Sequence, residues 1–138
     1  MTIINSVLIA NRGEIAIRIS KTLNEMGIKA YGIYSKDDSS SAHLSYCSEV
    51  FELNGTGPSA YLNIDEIISL AKSKKIKAVH PGYGFLSENH AFAASCAKND
   101  IIFIGPNEKT LKNFGNKEIA KKLAQKLGIP VCLSLIHI

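Results

Sequence analysis

Groups that could bind or orient a ligand are concentrated between His80 and Asn89. This segment contains a histidine, a tyrosine and a glutamate beside one proline and two glycines. It follows an apolar run at 76–79 that predicts a buried strand, and it precedes an alanine-rich run that is typical of a helix. Ligands of open α/β sheets bind at the carboxyl ends of the strands, so we expect a binding loop here. A tight strand-to-helix turn, with Ser87 capping the helix, would also explain these residue types.

Arg12 is a second candidate for ligand binding. Arg12 and Arg18 are the only arginines in a chain that otherwise uses lysine for positive charge. Arg12 follows the first predicted strand, and arginine is favoured where a planar group must bind a carboxylate or a phosphate through two hydrogen bonds. A structural ion pair that holds the turn near the cleft, with Glu14 or Glu88 as its partner, would explain the arginine equally well.

Lys117 occupies an unfavourable position for a lysine. It lies in the first turn of a predicted helix that Asn116 caps, where a cation opposes the helix dipole at a cost of roughly a few tenths of a kcal/mol. The first backbone amides of a helix attract anions, so a bound phosphate would account for the lysine. Chance would account for it too, because Lys117 is one of six lysines between residues 109 and 126.

Several other classes of site are not predicted. Cys47, Cys96 and Cys132 are odd in number and far apart, and no cysteine–histidine cluster occurs, which argues against a zinc site or a disulfide framework. The dinucleotide fingerprint GxGxxG is missing after the first strand, and the partial match at 82–87 lacks its third glycine. No aromatic residues interleave with the late lysines as nucleic-acid binding would favour. Without a long apolar run or a basic leader, we expect a cytoplasmic protein with no membrane span.

The elements that position these groups follow from hydrophobic patterning. The chain has 138 residues, of which 46% are apolar, and this is enough for the core of one domain. Helical patterns, one ending at Gly27 and another capped by Asn63, alternate with apolar runs that predict strands at 6–10, 30–34, 49–53, 76–79 and 101–104. Continuously apolar strands are typical of a parallel sheet that helices cover on both faces. The sequence therefore predicts a Rossmann-like, three-layer α/β domain with a parallel sheet of about five strands.

Two long motifs resemble the N-terminal domain of biotin carboxylases. They are Leu-Ile-Ala-Asn-Arg-Gly-Glu-Ile-Ala at 8–16 and His-Pro-Gly-Tyr-Gly-Phe-Leu-Ser-Glu-Asn at 80–89. Shorter landmarks of that family follow the same order at 61–63, at 103–106 and at 115–117, where Gly-Asn-Lys is similar to the family's Gly-x-Lys. The resemblance runs from about residue 6 to residue 131. It implies the module that acetyl-CoA, propionyl-CoA, methylcrotonoyl-CoA, pyruvate and urea carboxylases share.

The resemblance also implies a reaction and its participants. In this family ATP activates bicarbonate to carboxyphosphate, with Mg2+ or Mn2+ as the metal, and the biotin of a carrier domain or protein is carboxylated at N1′. Carried over to this chain, Lys117 would contact the nucleotide phosphates, and Tyr83 and Gly84 would line the biotin side of the cleft. On the first helix, a homodimer contact would include Arg18, Lys21 and Glu25.

The resemblance divides the chain into three parts. Residues 1–114 correspond to the Rossmann-like domain, and 115–131 to the helix that leads toward the family's ATP-grasp domain. Residues 132–138 are unlike the family's next segment, so we expect a truncation or an artefact there. The family's catalytic acids, metal ligands and bicarbonate-binding arginine belong to the ATP-grasp domain, so no catalytic residue and no metal ligand is assigned in this chain. The alternative hypothesis is a non-catalytic Rossmann-like binding or interaction module.

Overall fold

The fold is a five-stranded parallel sheet between two layers of helices. A computed structural model describes residues 3–132, and the last six residues of the predicted tail, 133–138, lie outside that range. The strands are β1 (Ser6–Ile9), β2 (Lys29–Tyr34), β3 (Glu49–Glu52), β4 (Ala78–His80) and β5 (Ile102–Phe103). Their order is β3-β2-β1-β4-β5, and every neighbouring pair is parallel. The predicted fold class is confirmed.

Within residues 3–132, six α-helices connect and flank these strands. They are α1 (Gly13–Glu25), α2 (Gly57–Ala60), α3 (Ile64–Ser73), α4 (His90–Lys98), α5 (Glu108–Phe114) and α6 (Lys117–Lys126). Two 3₁₀ helices, Lys36–Asp38 and Ala42–Tyr46, occupy the long connection between β2 and β3. Neither α2 nor α5 is predicted from hydrophobic periodicity, because both are short. No helix in the described range is long and apolar enough to cross a membrane.

Each face of the sheet has its own apolar core. On one face, β1, β2 and β4 pack with α3 and α4 through a cluster that includes Leu8, Ile67 and Phe92. On the other face, α1 packs through Ile19 and Leu23. The predicted strand residues Ile9, Ile33 and Val79 are fully buried, whereas Phe51 and Phe103 are only partly buried. This difference follows from the topology, since β3 and β5 are the edge strands.

Four helices end in the same way, and this sets where the next strand begins. The residue after the last turn has a positive φ in each case: Gly27, Lys75, Asp100 and Gly128. The next amide then donates to a carbonyl five residues back, as Ile76 does to Ala71 at 2.8 Å and Ile101 does to Cys96 at 3.0 Å. Ile76 and Ile101 thus close helices, and β4 and β5 start later than the apolar runs predict.

The last helix exposes its apolar residues. Although α6 is amphipathic, it has no buried residue. Ile119 is 41% exposed and Leu127 is 67% exposed, and the flanking Phe114 and Ile129 are 63% and 54% exposed. Helix α6 therefore adds little to the core of the described residues, which is built on the sheet that precedes it.

Candidate functional site

The backbone of the loop between β4 and α4 is unusually constrained. Three of its residues have positive φ, namely Gly82 at 66°, Gly84 at 64° and Phe85 at 41°. A positive φ is readily accessible to glycine but costs a phenylalanine of the order of 1 kcal/mol or more. The loop lies at the carboxyl end of β4, as predicted, and other residues must hold it in this shape.

Asn11 holds the first half of the loop. Its side-chain Nδ2 donates to the carbonyl oxygens of Pro81 and Tyr83, both at 2.8 Å, and its Oδ1 accepts from the amide of Arg12 at 2.9 Å. The residue follows β1, the strand beside β4 in the sheet. The sequence alone assigned it no role, although it belongs to the motif at 8–16 and lies between a predicted strand and a predicted helix.

Arg12 forms an ion pair, but with Asp38. Its Nη1 lies 2.6 Å from Asp38 Oδ2, whereas the predicted partners Glu14 and Glu88 are exposed and enter neither ion pair found within residues 3–132. The predicted partners are therefore wrong. Asp38 belongs to the connection after β2, which the parallel sheet brings to the same edge as the turn after β1. A separation of 26 residues gave no local signal of this pairing.

Tyr61 completes the network around Asp38. The fully buried Tyr61 donates its hydroxyl to Asp38 Oδ2 at 2.7 Å and accepts from the amide of Ser35 at 3.1 Å. Burial and the neighbouring carboxylate raise the pKa of Tyr61 to about 12. Burial alone would raise the pKa of Asp38, but the hydrogen bonds from Tyr61 and Arg12 hold it below its usual value. The carboxylate is thus kept ionised by its partners.

Aromatic packing connects this network to the second half of the loop. The rings of Tyr61 and Phe85 are 5.1 Å apart, and the Arg12 guanidinium lies 5.5 Å and 5.9 Å from their respective centroids. These contacts explain how Phe85 is kept at a positive φ. They also commit Arg12 to structure, which favours the ion-pair interpretation over the binding of a ligand.

The middle of the loop faces solvent. Tyr83 is 67% exposed, and a Cβ added at Gly84 would meet no atom within 4 Å. The following helix is capped by Asn89, whose Oδ1 accepts from the amide of Phe92 at 3.0 Å, and so the prediction that Ser87 caps it is wrong. The exposed ring of Tyr83, beside the open backbone of Gly84, could bind a flat, partly apolar ligand.

His80 stabilises the start of the loop in its neutral form. Its Nδ1 accepts from the amide of Gly82 at 3.0 Å, so the neutral ring carries its proton on Nε2. The half-buried position lowers the pKa of His80 from its ordinary value of 6.5. Protonation would both charge the ring and remove the acceptor that the turn uses.

We predict that the folded chain loses stability when the pH falls from 7.5 to 5.5. Because the pKa of His80 is lower in the folded chain than in the unfolded chain, the unfolded state binds more protons in this range. The stabilising contribution of neutral His80 is therefore fully present above the pKa that this residue has in the unfolded chain. It is lost as the pH falls through the lower pKa of the folded chain. Urea unfolding at the two pH values measures the change. His80→Asn, whose Oδ1 can replace Nδ1 as acceptor without titrating, should reduce it, and an equal loss in this variant would contradict the prediction.

Lys117 lies where it was predicted, in the first turn of α6. Asn116 caps this helix, and its Oδ1 accepts from the amides of Glu118 and Ile119 at 2.9 and 3.1 Å. Two of the backbone amides that could attract an anion are therefore already hydrogen-bonded to Asn116. The exposed side chain of Lys117 is then the main group at this end of α6 that could attract an anion. No hydrogen bond within residues 3–132 joins Lys117 to the loop at 80–89.

The three predicted dimer residues project from α1 and are all exposed. Arg18 borders an open apolar groove of about 600 Å³ between α1 and the sheet, which Met26 and Ile104 also line. Lys21 lies 5.2 Å above the ring of Tyr46. Glu25 is at the end of the helix.

Metal-ligating residues do not cluster in the described part of the chain. No three histidine, cysteine or acidic side chains between residues 3 and 132 could hold one ion together. Burial raises the pKa of the Cys96 thiol to about 12, and burial also raises that of Cys47. Both thiols are thus inert at neutral pH.

Known proteins resemble this chain in sequence and in fold. Residues 3–111 match the family described as biotin carboxylase, N-terminal domain. Pyruvate carboxylase of Bacillus subtilis is 50% identical over 131 residues, which cover 93% of this chain and 11% of that protein. Biotin carboxylase 2 of the same organism is 44% identical over 126 residues, which cover 91% of this chain and 28% of that protein.

Solved structures agree with the sequence matches. The biotin carboxylase domain of a single-chain bacterial carboxylase is 44% identical with a TM-score of 0.89, covering 91% of this chain and 30% of that one. Pyruvate carboxylase from Rhizobium etli is 39% identical with a TM-score of 0.89, covering 96% and 13%. The chain spans less than a third of the length of each of these relatives. Since the family match includes all five strands and the loop at 80–89, the chain belongs to the family of biotin carboxylase N-terminal domains.

Proposed function

We propose that this chain is the N-terminal part of a biotin carboxylase, a ligase that carboxylates carrier-bound biotin at the expense of ATP and bicarbonate. The observation that carries the proposal is the loop at 80–89, which a buried network holds at the carboxyl edge of the sheet in a chain of this family. Strained backbone of this kind is concentrated at functional sites, and the central residues of the loop are open to solvent.

Tyr83 and Gly84 fit one side of a biotin pocket. Biotin joins an apolar ring system to a polar ureido group, and the exposed Tyr83 ring offers an apolar surface with a hydroxyl at its edge. The space over Gly84 lets a ligand approach the backbone closely. The carbonyl of Tyr83 is already bonded to Asn11, so this residue would meet biotin through its ring.

Lys117 would bind the nucleotide phosphates. Its side chain is exposed, and neither ion pair of the described residues includes it. The unfavourable placement of a cation at the start of α6 is relieved when an anion binds there. The bound nucleotide supplies the phosphoryl group that activates bicarbonate, and the contribution of this chain is to orient the nucleotide through a charge-assisted contact.

The remaining groups of the reaction would come from the ATP-grasp domain. We place there the general acids, the ligands of Mg2+ or Mn2+ and the site for bicarbonate. The partners are then a biotin carrier domain or protein and a second copy of the enzyme. The exposed residues Arg18, Lys21 and Glu25 of α1 would take part in the homodimer contact.

We predict that the isolated chain does not hydrolyse ATP in a bicarbonate-dependent manner with free biotin. The reason is that the catalytic groups assigned to the ATP-grasp domain are missing from it. The measurement is ADP formation by the 138-residue chain and by a longer chain that includes this domain. Turnover by the short chain would show that the catalytic assignment is wrong. Absence of turnover by a folded longer chain would favour the non-catalytic module instead.

A further inference from the structure

The side chain of Asn11 is buried and fully used. It is 3% exposed, and its two Nδ2 hydrogens go to separate carbonyls of one loop, those of Pro81 and Tyr83. Its Oδ1 is taken by the amide of the next residue. Rotation of this amide would break the bonds to both carbonyls at once, and the bond to Pro81 is buried. Asn11 is thus held in one orientation just after β1, the central strand of the sheet.

The loop leaves room for the Asn11 side chain at Gly82. A Cβ at Gly82 would lie 2.6 Å from Asn11 Nδ2 and 3.0 Å from Asn11 Cγ, so no larger residue fits while Asn11 keeps its position. Gly82 also has a φ of 66°, which favours glycine independently. The close approach of Asn11 and the positive φ thus both require glycine at residue 82.

A second anchor lies on the far side of the exposed residues. Phe85 packs on the buried ring of Tyr61 at 5.1 Å. Between the two anchors, Tyr83 is 67% exposed, and no atom lies within 4 Å of a Cβ added at Gly84. Their location relative to the sheet therefore depends on hydrogen bonds within the loop, on the two carbonyl bonds to Asn11 at one end and on the aromatic contact at the other.

We infer that Asn11 is a positioning residue for biotin, acting through the backbone of Tyr83 and Gly84. This inference rests on the proposed function, because it takes the loop at 80–89 to be part of the biotin site. Asn11 does not touch the ligand. It holds two carbonyls so that the ring of Tyr83 and the open face of Gly84 are presented in one arrangement before biotin arrives, which lowers the ordering cost of binding.

Asn11→Asp is the variant that tests the inference. The carboxylate keeps the acceptor for the Arg12 amide, but it cannot donate and faces two carbonyl oxygens. Asn11→Ser is a milder, uncharged variant that retains one donor. The matched control is Asn99→Asp, because Asn99 Nδ2 also donates to a carbonyl, that of Ser95 at 2.8 Å, but at the opposite end of α4 from the loop.

Two readouts separate position from general stability. In the 138-residue chain, amide hydrogen exchange at Gly82 and Ser87, whose amides donate to His80 Nδ1 and to the Gly84 carbonyl, should become at least about tenfold faster in Asn11→Asp, while exchange in β1 and β2 stays slow. In the longer enzyme, the KM for free biotin should rise about tenfold, a change that corresponds to about 1.4 kcal/mol, with the KM for ATP unchanged. Asn11→Ser should give a smaller rise, and Asn99→Asp should give none.

Each outcome is decisive for Asn11. Unchanged exchange in the loop, or faster exchange with an unaltered KM for biotin, would overturn the inference. A parallel rise in the KM values for biotin and ATP would overturn it as well, since it would indicate a general defect. Failure of both Asn11 variants to fold would do the same, because the fold as a whole would then require the residue. Failure of the proposed function is distinct: the unsubstituted longer enzyme would show no biotin-dependent turnover at all.

Discussion

Replacing Lys117 by glutamine, in a chain that includes the ATP-grasp domain, is expected to weaken ATP binding about ten- to a hundredfold. A hydrogen bond to a charged group contributes about 1.5–3 kcal/mol, and each 1.4 kcal/mol is a factor of about ten in the dissociation constant. Thermal stability should stay the same or rise slightly, because the substitution removes a cation from the first turn of α6. Isothermal titration with ATP and a thermal melt measure the two effects.

Lys122→Gln provides the control for this experiment. Lys122 is also exposed and lies on the same helix, but beyond the first turn. Its loss removes the same charge from the protein, so a comparable loss of ATP affinity would mean that net charge and not position is responsible. If Lys117→Gln unfolds the protein while any folded fraction binds ATP normally, Lys117 has a structural role and the nucleotide contact is wrong.

Phe92→Ala is expected to lower the free energy of unfolding by about 3–5 kcal/mol, the range for a fully buried phenylalanine. Phe92 is completely buried on α4, and it meets the ring of Phe103 edge-on at 5.8 Å. It joins the helix after the binding loop to the edge strand β5. Since small domains have a total stability of about 5–15 kcal/mol, the variant should be largely destabilised. Urea unfolding, followed by circular dichroism, measures the loss.

The same substitution at Phe114 should leave stability within about 0.5 kcal/mol of the original, as is usual for exposed sites. Phe114 is 63% exposed at the end of α5, and alanine is a good helix former. Equal losses at the two positions would contradict the packing described for α4 and would indicate that the apolar residues around α6 are covered in solution.

The sheet could be predicted because its signal is local. Each strand is a short, continuously apolar run, and the helices between strands leave only a parallel arrangement. Strand boundaries were harder where a helix ends in a non-glycine residue of positive φ. The residue types of Lys75 and Asp100 do not identify a helix end as a glycine does. The sequence therefore predicts Ile76 and Ile101 in strands, although each closes a helix.

The loop between β4 and α4 was predictable from its composition, but its supports were not. The residues that brace it come from the turns after β1 and β2 and from the segment after α2, and only the order of the strands brings them together. Asp38 is one of several polar residues in its connection, and nothing in the sequence separates it from Asp37 as the partner of Arg12. Tyr61 was visible only as a family landmark.

The short helices were missed for a related reason. Helix α5 has seven residues and only Leu111 in the core, which is too little for a periodic pattern. Its start was nevertheless encoded, since the Oδ1 of Asn107 accepts from the amide of Thr110 at 2.9 Å. An asparagine followed by Glu108 is the kind of signal that would have identified this helix.

The central place of β1 determines the order in which the chain can assemble during its synthesis. β1 can pair with β2 once residues 29–32 are available, but its other edge requires residues 78–80. Until then an apolar strand edge is open to unwanted pairing, a hazard common to parallel topologies. The bonds from Asn11 to the loop span 70 and 72 residues, so they form only when that edge closes. Pairing of β4 with β1 therefore closes the open edge of the central strand and also brings the loop at 80–89 within reach of Asn11.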